Sequence, residues 1–357
     1  MLRERPTNDK TPAKVSRVFV YNLLNMRKFI SILVLFLGAA FVYLSFGELE
    51  SAAETLHHGN IWFVLCAILI QCAWFIGTGL TYLSLYRLFG MDETVYKMSL
   101  MSAAANFVNI IAPSAGVGGM AVFISDANRN GRSPGKVTVV NLLFLFIDYI
   151  AFMVVLTLGL IVLFRRNDLR PTEIAASLLI LAIALTLGSL LYLGSRSAAA
   201  LGNALAWIAR LVNRIAQPFI KRAYLSEARA HEFAHEMAAD LKSLPEKSYS
   251  LIKPLVFALT NKALLMCVLM ASFLSFKVPF SAGTIIGGFS IAYLFLIVSP
   301  TPSGIGIVEG IMPLALTSFR IPWSQAVIIT LAYRGITFWL PLGFGAWAFR
   351  ALNRDTK

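Results

Sequence analysis

Apolar residues along this chain are grouped into long runs, and polar residues are gathered into shorter segments between them. A transmembrane helix needs about 20 predominantly apolar residues, and in lipid its backbone groups must be hydrogen-bonded within the protein. Six runs reach or approach this length. They cover residues 30–46, 61–88, 137–164, 174–193, 251–276 and 323–349. The pattern predicts an all-α, polytopic membrane protein with six full spans.

Two further apolar regions are interrupted by proline and glycine. The first, 95–125, contains NFVNIIAPSAGVGG at 106–119, and the second, 284–319, contains SPTPSGIGIVEG at 299–310. Proline has no N–H to donate and glycine loosens the backbone, so a regular helix should break at both places. A matched pair of interrupted segments is the sequence feature that best marks a transporter's binding site. We predict two broken, re-entrant helical hairpins related as an inverted repeat. For the first region, one full crossing of the membrane is the alternative.

Charged residues suggest how these spans are oriented. The loop 47–60 carries three glutamates and neither Lys nor Arg, so it should lie outside, whereas most of the 31 Lys and Arg fall on the opposite side. We expect a basic cytoplasmic tail at 1–28, a membrane domain at 29–350 and a C-terminal tail at 351–357. Both termini would be cytoplasmic and the protein would lie in the inner membrane. The basic residues that this topology leaves outside are Arg165, Arg166, Arg170, Lys277 and Arg320.

Composition excludes several other classes of protein. Only 14% of the residues are charged, against about 25% in soluble domains. The formal net charge of +13 does not indicate nucleic-acid binding, because the basic residues flank apolar runs and no such motif is present. The three cysteines lie in apolar runs without metal spacing and are interpreted as packing residues. No phosphate-binding nucleotide loop is present, and no cofactor is expected.

The longest polar segment, 195–250, is predicted to be a cytoplasmic loop with an amphipathic helix. Apolar residues recur in it at spacings of three and four, which places them on one helix face. Such a face suits an anionic membrane surface, but packing on the protein's own cytoplasmic side explains it equally well. The apolar positions are Leu201, Leu205, Ile208, Val212, Ile215 and Phe219.

The same segment contains HEFAH at 231–235, which matches the HExxH pattern of zinc metalloproteases. On a helix, His231 and His235 would face one zinc ion and Glu232 would act as a base. A catalytic zinc also needs a third protein ligand in an enclosed site, and no second ligand motif follows. We therefore interpret the motif as a coincidence on a solvated helix, keep the metalloprotease as an alternative, and expect no metal site.

Four ionisable residues lie well inside apolar runs: Asp148, Lys262, Glu309 and Arg334. Each would cost at least ~2.5–3.5 kcal/mol at the bilayer centre without a partner, so each should face a partner or a hydrated cavity. We hypothesise that Glu309 pairs with Arg334, and that Asp148 pairs with either Arg334 or Lys262. Intramembrane charges are functional by default, so all four are candidate translocation residues.

Polar and small residues in the two breaks are further candidates. Helices that begin after Pro113 and Pro302 would point N–H groups and positive dipole ends towards an anion such as a phosphate. Tight helix packing through small residues is the alternative explanation. The candidates for contacts with a headgroup are Asn106, Asn109, Ser114, Gly116, Gly118, Ser303, Gly304 and Gly306.

Both breaks, the DANRNGRS that follows the first, the FIDY around Asp148 and the AYRGITFW around Arg334 resemble a known family. It is the transmembrane region of lysylphosphatidylglycerol synthetases, the flippase-like domain, and the likeness extends over about 30–349. Glu309 and Arg334 match the family pattern position by position. The resemblance implies a lipid translocator, and synthetase activity is not expected because the chain ends soon after the last span.

The function that follows is translocation of an anionic phospholipid or lipid-linked headgroup through a polar cavity between the two hairpins. Relatives that stand alone are associated with polyprenyl-linked sugars and hopanoids, so the resemblance does not specify the lipid. The expected partners are membrane lipids, and the protein is not expected to be an enzyme. A non-transporting partner of a lipid or envelope biosynthetic enzyme is the main alternative.

Overall fold

The computed structural model describes residues 46–111, 117–216, 227–242, 248–299 and 301–354. The predicted first span and the N-terminal tail therefore lie outside the described residues, apart from Phe46. Glu48–Lys357 forms a compact unit.

Every regular element in the described ranges is helical, which confirms the all-α prediction. A π-helical segment, Gly335–Trp339, joins the last two α-helices, and 3₁₀ turns lie at Ser248–Leu251 and Pro302–Gly304. The α-helices are α1 Phe46–His58, α2 Ile61–Leu88, α3 Val95–Ile111, α4 Val117–Arg129, α5 Pro134–Arg165, α6 Pro171–Arg196, α7 Ala198–Ala216, α8 Glu227–Lys242, α9 Ile252–Ser275, α10 Ala282–Val298, α11 Ile307–Ser318, α12 Trp323–Arg334 and α13 Leu340–Arg354.

Five helical stretches among the described residues are long and apolar enough to cross a membrane. They are α2, α5, α6, α9 and the continuous stretch Trp323–Arg354, with mean hydropathies between 1.4 and 2.5. Each corresponds to one of the six apolar runs. The protein is therefore a multi-pass membrane protein, while the full count of six spans stays a prediction.

Local sequence explains where several of these helices begin. The Asn60 side chain accepts a hydrogen bond from the Trp62 N–H at 3.1 Å and caps α2. Ser133 caps α5 by accepting from the Lys136 N–H, and proline occupies the first position of that helix. These caps satisfy N–H groups that have no partner within the helix, so the breaks between spans follow from the chain's own chemistry.

Each interrupted region contains two short helices, and in the second region the break lies where the prolines and glycines predict it. In the second, α10 and α11 are separated by a turn in which Ser303, Gly304 and Gly306 have φ values of 48°, 70° and 76°. These left-handed conformations suit glycine and cost free energy at Ser303. The helix resumes at Ile307. In the first region α3 and α4 flank residues 112–116, which lie outside the described ranges.

Apolar side chains form the interior of the unit and also much of its outer surface. One core cluster surrounds Phe123 and Met98, and another surrounds Phe273 and Phe289. On α6, Leu178 and Leu185 are exposed, 59% and 62% respectively. Exposed leucines on the outside of a multi-pass protein are expected, because lipid tails are as apolar as the side chains.

Helix α7 packs through part of its predicted apolar face on the protein itself. Leu201 is fully buried and belongs to the same core cluster as Ala234 and Met237 of α8. Val212, on the same predicted face, is exposed, as is Trp207. Packing on the protein therefore accounts for the N-terminal part of the stripe, and contact of the rest with a membrane surface stays a prediction.

Gly345 allows α13 to lie directly against α3. A Cβ atom at this position would be 2.6 Å from the Ala103 carbonyl oxygen and 2.7 Å from Phe107 Cβ. Gly345→Ala should therefore destabilise the protein by about 1–3 kcal/mol, because backbone atoms must move apart. Thermal unfolding in detergent would measure this. Gly343→Ala is the matched control, since that glycine of the same helix has open space around it; equal destabilisation by both changes would contradict this explanation.

Candidate functional site

A buried lysine is held between two helices near the middle of the bundle. The Lys262 ammonium of α9 donates to Asp148 Oδ1 of α5 at 2.7 Å and to the Tyr293 hydroxyl of α10 at 2.7 Å. Lys262 is only 2% exposed. The structure thus pairs Asp148 with Lys262, which was one of the two partners that the sequence left open.

A second buried ion pair joins α11 and α12. The Arg334 guanidinium donates through Nε to Glu309 Oε1 and through Nη2 to the Ser303 carbonyl oxygen, the latter at 3.1 Å. Arg334 is 3% exposed and lies just before the π-helical segment. Glu309 occupies the first turn of α11, where the helix dipole favours a negative charge. A protein carboxylate therefore already occupies the helix end that was predicted to receive an anion.

A cavity of about 110 Å³, called the central cavity below, is lined by a residue of one ion pair and by a hydrogen-bond partner of the other. The Tyr293 side chain lines it, and its hydroxyl also accepts the hydrogen bond from Lys262. Arg334 lines the same space. The residues around the central cavity are Gln71, Trp74, Asn106, Ile110, Leu265, Ala292, Tyr293, Leu296, Ser303, Val308, Tyr333, Arg334, Thr337 and Phe338.

Both broken regions contribute to this cavity. Asn106 and Ile110 come from α3 in the first region, and Ser303 and Val308 come from the turn and from α11 in the second. These segments are far apart in the sequence, so only the tertiary fold brings them together. Three of the predicted site residues, Asn106, Ser303 and Arg334, thus line the cavity. Glu309 is paired with Arg334, and the pair of Asp148 and Lys262 is connected to the lining through the Tyr293 hydroxyl.

The other candidates have different positions. Asn109 Oδ1 accepts from the Gly119 N–H at 2.6 Å, so this side chain links α3 to the first turn of α4 and does not line the central cavity. Gly118 lies in that same first turn. Gly304 and Gly306 shape the second break through their positive φ values. Ser114 and Gly116 lie outside the described residues.

Sequence reasoning missed Gln71, although a polar side chain inside the apolar run 61–88 was a visible signal. Gln71 is 1% exposed and lines the central cavity. Within the described part of the chain, neither its Nε2 nor its Oε1 has a hydrogen-bond partner. Tyr293 and Thr337 were also missed, because aromatic and hydroxyl side chains are ordinary in apolar runs.

The HEFAH motif lies on α8, as predicted, but one of its histidines packs against α7 while the other is exposed to solvent. The His231 imidazole packs against Gly202 of α7, where an added Cβ would be 2.3 Å from Nδ1. Glu232 and His235 are exposed. Across the described ranges, no group of three or more His, Cys, Asp or Glu is arranged to hold a metal ion.

A larger cavity, of about 210 Å³, lies where the N-terminal end of α6 meets α10 and α11. Its polar lining includes Arg170 and Glu173, whose Oε2 accepts from the Arg170 N–H at 3.1 Å and completes the cap of α6. Neither buried ion pair borders this space. We therefore place the candidate site at the central cavity, because Arg334 lines it, Lys262 is linked to it through Tyr293, and Gln71, whose amide has no partner among the described residues, also lines it.

A family model described as the lysylphosphatidylglycerol synthase TM region matches residues 28–345. The chain belongs to this family. The matched range includes both ion pairs, both broken regions and every residue of the central cavity. The lysylphosphatidylglycerol synthase TM region is the non-catalytic membrane part of synthase-like proteins, so this chain is a membrane domain of lipid metabolism or transport. No curated protein matches the chain.

Proposed function

We propose that the protein translocates an anionic phospholipid or lipid-linked headgroup across the inner membrane through the central cavity. The main support for this proposal is that Arg334, a buried cation paired with Glu309, lines a cavity to which both broken regions contribute. In this proposal both termini are cytoplasmic, and six spans surround two hairpins related as an inverted repeat. Membership of a family whose setting is membrane lipid metabolism supports a lipid as the substrate.

The ion pairs suggest how a headgroup is accepted. Glu309 keeps the guanidinium in position and balances its charge while no anion is present. A headgroup phosphate offers the same forked acceptor geometry as a carboxylate, so it competes with Glu309 for Arg334. Lys262 lies one hydrogen bond away through Tyr293 and adds a second cation whose charge Asp148 balances. An anion therefore enters a site where both cations are already oriented.

The remaining candidates have supporting parts in this proposal. Asn106 and Ser303 place polar groups at the cavity wall, and Gly304 and Gly306 let the backbone turn close to the headgroup. Asn109 links the two helices of the first region, and Ser114, Gly116 and Gly118 are proposed as further residues near the headgroup. In this proposal the exchange is not coupled to an energy source, so the lipid moves down its own concentration gradient between the leaflets.

Reconstitution into vesicles tests the proposal. Purified protein is placed in vesicles that contain fluorescent phosphatidylglycerol, and the label in the outer leaflet is quenched chemically. We expect protein-dependent loss of the protected inner-leaflet signal, with no such loss in protein-free vesicles. Arg350→Gln, which removes an exposed charge from α13, should exchange lipid like the unmodified protein.

A negative result would also be informative. Absence of exchange with phosphatidylglycerol, phosphatidylethanolamine and a polyprenyl phosphate would overturn translocation. It would favour the alternative of a non-transporting partner of a lipid biosynthetic enzyme, which the synthase in the family description supports. Co-purification with such an enzyme would then be the next measurement.

A further inference from the structure

We propose that Gln71 recognises a hydroxyl group of the headgroup, so the ligand of the central cavity is an anionic phosphodiester that carries a glycerol or sugar hydroxyl. This inference rests on the proposed function, because it assigns the substrate class of the same cavity. It adds a specificity-determining residue to a site whose charged residues contribute phosphate binding alone.

The starting observation is an amide with unmet hydrogen bonds. Gln71 lies in the middle part of α2, is 1% exposed and lines the central cavity. Neither of its two amide atoms has a hydrogen-bond partner in the part of the chain that the structure describes. A buried amide without partners destabilises a protein, whereas a leucine of similar size would pack there without that cost. The side chain is therefore best explained by a molecule that enters the cavity and completes its bonds.

The chemistry of the amide narrows the identity of that molecule. Gln71 offers N–H donors and a carbonyl acceptor. A phosphate oxygen can satisfy only the donors, and an ammonium group only the acceptor. A hydroxyl group both accepts and donates, so one diol can engage both ends of the amide. The rest of the lining fits such a ligand, since Asn106 and Thr337 add further groups that bond hydroxyls.

The position of Arg334 completes the recognition. It lines the same cavity as Gln71, on a helix from the other end of the chain. The guanidinium is the natural partner of the phosphodiester, which leaves the hydroxyl-bearing part of the headgroup for the amide. Phosphatidylglycerol and phosphatidylpropanol separate these two contacts, because both carry one negative charge and only phosphatidylglycerol has hydroxyl groups.

The decisive experiment compares exchange of these two lipids in vesicles. The unmodified protein should exchange phosphatidylglycerol at least about tenfold faster, because a site built around a hydroxyl rejects an analogue without one. Gln71→Leu should slow phosphatidylglycerol to the rate of phosphatidylpropanol and leave the latter within about twofold, so the preference disappears. Phosphatidylinositol, whose hydroxyls lie on a ring as they do in a sugar, distinguishes ring hydroxyls from those of glycerol. A preference for either lipid over phosphatidylpropanol that depends on Gln71 supports the inference. Equal rates for all three lipids, or equal slowing of all three by Gln71→Leu, would overturn it.

The thermal stability of the Gln71→Leu variant is a second test, because a binding role and a purely structural role of Gln71 predict changes of opposite sign. In lipid-free detergent, Gln71→Leu should raise the midpoint of thermal unfolding, because it removes two unpartnered polar atoms. A lowered midpoint would mean that the amide contributes to packing and would count against a binding role. Asn261→Leu is the matched control: Asn261 is also buried with an unpartnered Oδ1 among the described residues, but it does not line the cavity. It should leave the lipid preference unchanged.

Binding separates this inference from the proposed function. Short-chain phosphatidylglycerol should raise the unfolding midpoint in detergent more than short-chain phosphatidylpropanol, and Gln71→Leu should erase the difference. Selective binding without exchange in vesicles would sustain the role of Gln71 and overturn translocation. Exchange without any hydroxyl preference would sustain translocation and overturn the role of Gln71. Failure of both measurements would reject both proposals.

Discussion

Arg334→Gln should reduce protein-dependent exchange of phosphatidylglycerol by about a hundredfold or more. Removal of the guanidinium deletes the proposed phosphate ligand, and a lost charge-assisted contact in a buried site is worth about 2–4 kcal/mol. The same change leaves the partly buried Glu309 carboxylate without its cation, which should lower the free energy of unfolding by about 3 kcal/mol. Exchange in vesicles and thermal unfolding in detergent measure the two effects separately.

A double variant distinguishes loss of function from loss of folding. Glu309→Gln combined with Arg334→Gln removes both charges, so most of the stability should return while exchange stays at background. Arg334→Lys keeps the charge but loses the forked geometry and should retain only part of the activity. Normal exchange by the double variant would show that Arg334 holds the fold together and does not bind lipid.

Lys262→Met should destabilise the protein by about 3 kcal/mol, because it leaves the Asp148 carboxylate without its cation and the Tyr293 hydroxyl without its hydrogen-bond donor. The lower end of the usual range is expected, since the Asp148 side chain is 24% exposed and keeps some hydration. Thermal and chemical unfolding in detergent would measure the change. Exchange should also fall, since the second cation beside the cavity is lost.

A double variant that also removes the Asp148 charge tests whether the loss of stability comes from breaking the ion pair. Asp148→Asn combined with Lys262→Met should recover most of the lost stability, because no unpaired charge is left in the interior. Lys253→Met is the matched control: it removes an exposed lysine from the same helix and should change stability by less than about 0.5 kcal/mol. If the double variant were no more stable than Lys262→Met alone, the pair would not be the source of the effect.

Several features of this protein could be predicted from local sequence alone. Five of the six apolar runs correspond to helices of membrane-spanning length, and the second proline and glycine segment interrupts a helix where predicted. Such features depend on residues that are adjacent in the chain: the solubility of a run of side chains in lipid, and the backbone groups that proline and glycine remove or release. The sequence also identified four intramembrane charges, because each is conspicuous against apolar neighbours.

The partners of those charges required the fold. Asp148 had two candidate cations, and only the packing of α5 against α9 and α10 places Lys262 within 2.7 Å. Asn109 was predicted to contact a headgroup, but the fold places it against the Gly119 N–H, where it bridges the first break. Gln71 was visible as a polar side chain in an apolar run, but only the fold shows that it lines the cavity and that both of its amide atoms lack partners among the described residues.

What could be predicted from the sequence differs from what required the fold in the sequence separation of the residues that interact. Burial in lipid and helix formation are governed by interactions within a few residues of each other, so a single chain read in order is sufficient to predict them. Hydrogen bonds and ion pairs act over a few ångströms in space, and the partners in the two ion pairs are separated by 25 and 114 positions in the chain. The membrane-spanning pattern could therefore be read from the residues in order, whereas the cavity between the two breaks exists only in the folded helices.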